Sequence, residues 1–80
     1  MGLTLEQRRA KARPLPPVAA AIREAMWLAR YRADELDEAF LRKADPRAVQ
    51  GGAICEEAHE LRQVKDALAK LVLDAEEVEQ

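Results

Sequence analysis

The segment Glu56-Glu57-Ala58-His59 carries the densest chemistry in this chain, because a carboxylate and an imidazole three residues apart share one face of a helix. Glu56 and His59 could together ligate a first-row metal ion, and Glu24 is the obvious further carboxylate from a neighbouring helix. Cys55 lies one turn before His59, so a thiol and an imidazole are also spaced for a nucleophile and its base. That pair has no Gly-rich or strand-to-helix turn beside it to stabilise an oxyanion. No catalytic residue is therefore assigned, and no enzyme is expected. A third possibility is phosphate binding by the basic cluster Arg8, Arg9, Lys11 and Arg13. The sequence shows no pair of short helices with a Gly turn for a duplex groove, and its remainder is acidic. A nucleic-acid-associated protein working through this arm is kept as an alternative only.

The Glu-x-x-His spacing resembles that of the ferritin-like di-iron carboxylate bundles, a likeness that covers one four-residue motif. It implies ligands pointing into a bundle core and, for so short a chain, a site assembled from two copies of a helical hairpin. Glu24, Glu56 and His59 are the residues it would use. Helical geometry opposes this: His59 falls about 160° around the helix from Leu61, on an outer face with Cys55, Gln63 and Asp66. The metal-binding reading is thus an alternative, and no cofactor is expected.

A second kind of site needs no chemistry. On the helix that follows the prolines, Trp27 and Tyr31 lie opposite the apolar stripe and one turn apart, with Arg23 and Arg30 nearby. Trp, Tyr and Arg are the residue types enriched at binding hot spots. Two arrangements fit. Either Trp27 and Tyr31 form an exposed partner-binding patch together with Arg23, Arg30, Arg8, Arg9 and Arg13, or the N-terminal helix folds back over them, with Leu3 and Leu5 against the rings.

The elements that must position these residues are helices. Thr4 and Gln7 have the spacing of a capping box and predict a short helix over residues 5–12. Pro14-Leu15-Pro16-Pro17 then forms a stiff elbow whose last proline can open the next helix. Residues 18–43 contain no Gly or Pro and carry an inward stripe of Leu15, Ala19, Ile22, Met26, Ala29, Ala33, Leu36 and Phe40. The small members, Ala19, Ala29 and Ala33, would let a neighbour approach closely. Asp45-Pro46 reads as an N-cap and first helical residue, starting a short turn over 46–50 that Gly51-Gly52 ends. A final helix is predicted over 53–77. Its closing acids face an unfavourable helix dipole and are expected to fray.

That last helix has more apolar face than one neighbour could cover. Ile54, Leu61, Val64, Leu68, Leu71, Ala75 and Val78 recur three, four and seven apart, and Ala58, Val72 and Leu73 widen the stripe. Ile54, Leu61, Val64, Leu68, Leu71 and Val72 are the residues expected to form the core and a dimer contact.

Eighty residues, 49% of them hydrophobic, make one domain near the lower limit for a self-sufficient core. Ala, Leu, Glu and Arg dominate and aromatics are 4%, which is a helical composition. Residues 1–32 hold seven basic groups against two acids, while 33–80 hold six against thirteen, so the overall charge of −2 is polarised. The basic arm can therefore meet an acidic partner or the acidic half of its own bundle. One cysteine, no apolar leader near the start and no long apolar run make the cytoplasm the expected compartment and argue against a membrane. The reading is an all-α protein: residues 1–17 as a basic arm with a short helix and proline elbow, then 18–80 as an antiparallel long-helix hairpin expected to dimerise into a bundle, with a compact three-helix monomer, in which the arm also covers the last helix, as the alternative. Its expected role is protein–protein interaction, as an adaptor, inhibitor or regulator of a larger protein, a class common among small acidic helical proteins of bacteria and phages.

Overall fold

A computed structural model describes residues 3–79; Met1, Gly2 and Gln80, the outermost residues of the expected arm and of the expected frayed end, lie outside it. Every regular element among the described residues is a helix: α1 (Leu5–Lys11), α2 (Pro17–Lys43), α3 (Pro46–Gln50) and α4 (Glu56–Glu79). Local chemistry accounts for their starts. Gln7 N–H donates to Thr4 Oγ1 at 3.2 Å while Thr4 N–H donates to Gln7 Oε1 at 3.0 Å, so the capping box opens α1. Pro17 stands at the first position of α2, where its missing N–H costs nothing. Asp45 Oδ1 accepts from Arg47 N–H at 2.9 Å, which caps α3 with Pro46 just inside it.

The connection between the long helices differs from the expectation at one point. Gly51 closes α3 and Gly52 has φ 94°, the left-handed region in which a side chain is strained. The chain then stays non-helical through Cys55, and α4 starts at Glu56 rather than at 53. Its first turn carries Glu56 and Glu57, where carboxylates suit the positive end of the helix dipole. Ile54, expected as the first residue of the α4 stripe, therefore sits in the connection and is exposed.

The two long helices pack antiparallel as a hairpin. Ion pairs mark the alignment: Arg62 bridges Asp34 at 3.2 Å and Asp37 at 3.1 Å near the turn. At the other end Arg13 Nη2 meets Glu76 Oε1 at 2.6 Å. The contact is lined mainly by small residues, since Ala19, Ala33 and Ala58 are completely buried and Val72 nearly so. Alanine lets the backbones approach but supplies little apolar area. The hairpin is elongated, 51 × 23 × 13 Å, because its helices run 27 and 24 residues, and no large side chain among the described residues is fully buried.

The closing acids find their compensation across the hairpin. Pro16 has no side-chain acceptor for the first N–H groups of α2. Glu79 supplies one: Ala19 N–H donates to its Oε1 at 2.9 Å, with Val18 N–H 3.4 Å from Oε2. A carboxylate at the C-terminal end of α4 is out of place for its own dipole, yet well placed for that of α2. Helix α4 accordingly runs through Glu79, two residues beyond the predicted end.

Candidate functional site: two faces of one hairpin

One face of α2 is occupied by the N-terminal arm. Arg8 Nε donates to the Tyr31 hydroxyl at 3.0 Å, and that hydroxyl donates in turn to the Leu3 carbonyl. Arg9 Nε donates to Glu24 Oε1 at 2.9 Å. This hydrogen bond holds the Glu24 carboxyl below its ordinary value of 4.5 and raises Arg9. Arg23 lies with its guanidinium carbon 4.9 Å from the centre of the Trp27 ring and donates through Nη1 to the Arg13 carbonyl at 2.7 Å. Trp27 is only 9% exposed and Tyr31 is half-buried.

Of the two arrangements open to these aromatics, the arm-covered one is present. Leu3 takes part through its backbone carbonyl, a contact that apolar patterning gives no reason to expect. The residues assigned to a partner from their types, Trp27, Tyr31, Arg23, Arg8, Arg9 and Arg13, are engaged within the chain, and Arg30 is exposed. The charge polarity of the sequence is spent in the same way: basic groups of the arm meet Glu24 on α2 and Glu76 on α4.

The residues with chemistry are dispersed. Glu24 is committed to Arg9, Glu56 is exposed in the first turn of α4, and His59 is exposed with Nε2 3.3 Å from Gln63 Nε2. Among the described residues no three His, Cys, Asp or Glu side chains gather in a way that could hold a metal ion. Cys55 is a half-buried free thiol in the connection, and its carbonyl accepts the His59 N–H at 3.0 Å. That places the two residues at the start of α4 as backbone partners.

The opposite face of the hairpin is open. On α4, Ala58, Val72 and Glu76 are buried, while Val64, Leu71 and Val78 are 47%, 49% and 85% exposed. Leu61, Leu68 and Ala75 lie between these extremes. Together Leu61, Val64, Leu68, Leu71, Ala75 and Val78 follow strict alternation of three and four residues, the spacing of a helix-pairing seam. The seam is rotated away from α2, so the hairpin covers only its edge.

A groove of about 370 Å³ runs along this face near the turn, lined by Arg32 and Leu36 of α2 and by Glu57, Glu60, Leu61 and Val64 of α4. Its floor is apolar. Arg32 rims it from α2, while Glu57 and Glu60 rim it from α4. The seam was legible as a stripe of residues. The sequence did not reveal which part of the stripe α2 would take, because alanines at the contact shift the helices' facing sides. The surface that sequence reasoning missed is the α2 half of the groove, where half-buried Leu36 counts as core in any one-dimensional pattern.

No helix among the described residues is long and apolar enough to cross a membrane. No protein-family model matches the chain, and neither a curated protein nor a solved structure shows significant similarity to it.

Proposed function

We propose that the protein is a helical protein–protein interaction module whose working surface is the open face of the hairpin, acting as an adaptor, inhibitor or regulator without catalytic chemistry of its own. The observation that carries this reading is the unpartnered seam Leu61, Val64, Leu68, Leu71, Ala75 and Val78. Fully covering one Val or Leu contributes about 1.5–3 kcal/mol, so each half-exposed member retains roughly half of that for a partner. A continuous exposed seam rimmed by charge is the usual mark of an association surface, whereas single exposed apolar residues such as Leu28 and Leu41 need no explanation. A free thiol in a chain with no second cysteine fits a cytoplasmic setting.

The test is site-specific photocrosslinking in living cells from position 71 on the open face and from position 66 on the outer face of α4. Protein adducts from position 71 and none from position 66 are expected. Adducts from neither, or from both equally, would overturn the assignment of the surface.

A further inference from the structure

We propose that the occupant of the open face is a second copy of this chain, related by a two-fold axis parallel to the helices, so that α2 of each protomer packs on α4 of the other. This rests on reading the face as an interaction surface and names its partner. Three observations converge on it. The first is the amount of surface. Folded monomers follow A ≈ 6.3 M^0.73, about 4,850 Å² for 9.0 kDa, whereas this chain exposes 6090 Å². The excess, roughly 1,200 Å², is comparable to the ~800 Å² per partner that a standard interface removes from water.

The second is the fit between the two helices' edges. At the turn end, the rim of the open face carries Arg32 and Lys43 on α2, Arg32 being ion-paired at 3.1 Å to Glu35 of its own helix, and Glu57 and Glu60 on α4. A two-fold axis along the bundle keeps the turn ends together and sets the basic edge of each α2 against the acidic edge of the partner's α4. Both pairs of edges are then attractive. Packing α2 on α2 needs a two-fold axis across the helices, which sets each charged turn end against the partner's uncharged end and forms none of these ion pairs. Away from the turn the α2 edge is built of alanine, with Ala21 and Ala25 level with Ala75 and Leu71 of the partner.

The third is the seam itself. Its three-four alternation suits an antiparallel helix of the same pitch, and α2 presents a matching row in Ile22, Ala29 and Leu36 on the same side of the hairpin. A four-helix bundle results, with the arms on its outer faces.

The experiment is sedimentation of the full chain at about 100 µM, where a complex with a Kd of about 10 µM or tighter is mostly assembled. The wild type is expected at about twice 9.0 kDa, and Leu71→Glu at 9.0 kDa with its helical circular dichroism retained. Should Leu71→Glu fail to fold, the exposed rim decides. Arg32→Glu/Lys43→Glu and Glu57→Lys/Glu60→Lys should each dimerise at least tenfold more weakly than wild type, and an equimolar mixture should recover the dimer. Recovery supports the α2-to-α4 pairing, because effects inside one protomer are the same before and after mixing. A monomeric wild type, or a dimer indifferent to the rim changes and to mixing, overturns the proposal. Crosslinks from position 71 to a different protein would refute the second copy yet leave the interaction surface intact.

Discussion

The two faces of this hairpin are built from the same two helices, yet they resolve their surface in opposite ways. The arm side is closed by directional contacts: Arg8 to Tyr31 to the Leu3 carbonyl, Arg9 to Glu24, and Arg23 over Trp27. The other side has an apolar seam with no such contacts and with Leu71 half in water. Charged groups can be satisfied within a protomer by a short basic helix on a proline elbow. A seam longer than that arm has no cover of comparable length among the described residues. The difference teaches that the scarce large side chain, Trp27, went to the face that the chain itself can close.

The comparison can be broken by substitution, beginning where the effect should be greatest. Trp27→Ala removes the one large aromatic that is buried and leaves Arg23 without its ring. A loss of about 3 kcal/mol is expected in urea unfolding, at the low end for buried aromatics because the ring touches the surface. A loss below about 0.5 kcal/mol would mean that the arm side is not the stabilising face. Ala33→Leu places a larger side chain where α2 and α4 touch, and overpacking of this kind costs about 1–3 kcal/mol. The matching change on the open face, Val64→Leu, should leave the unfolding of dilute protomer within about 0.5 kcal/mol, so equal effects at 33 and 64 would erase the contrast.

A smaller effect belongs to the turn. Gly52→Ala meets no neighbour within 4 Å, so its expected cost of about 1 kcal/mol is conformational, set by φ 94°. Unchanged thermal stability would show that the turn adopts another backbone shape. The least effect is pH-linked. The Glu24 carboxyl titrates below 4.5 in the folded chain because Arg9 bonds to it. Folding thus gains from this pair above 4.5, and the gain disappears as pH falls through the depressed folded value. The pair is largely exposed, so a small loosening of the arm is expected, followed by Trp27 fluorescence on acidification and absent in Glu24→Gln. An identical acid response in that variant would separate arm docking from this carboxylate.

Much of the architecture was written in local residue choices. Thr4 with Gln7, Pro17, Asp45 with Pro46 and the two glycines each act over four residues or fewer, and each punctuates the chain where expected. The start of α4 was displaced to Glu56, because a left-handed glycine leaves the next residues outside the helix until an acidic first turn can begin it. The role of Trp27 and Tyr31 was only half legible. Residue type and helical angle placed them off the main stripe, but whether solvent or the arm lay above them depended on the path after Pro14. Nothing local specifies that path.

The amino-acid sequence by itself determined the helices, the capped or proline-marked starts of the first three, the hairpin and the existence of a seam too broad for one neighbour, since these follow from periodicity, capping and proline geometry within a few residues. Only the tertiary structure decided which side of α4 is hidden, that Glu79 caps α2 from 60 residues away, and that the arm spends its charge on Glu24, Tyr31 and Glu76. The physical reason is range: hydrogen-bonded turns are chosen by neighbours in the chain, whereas a helix's rotation about its axis and its choice of ionic partners emerge only when distant segments compete for the same surface.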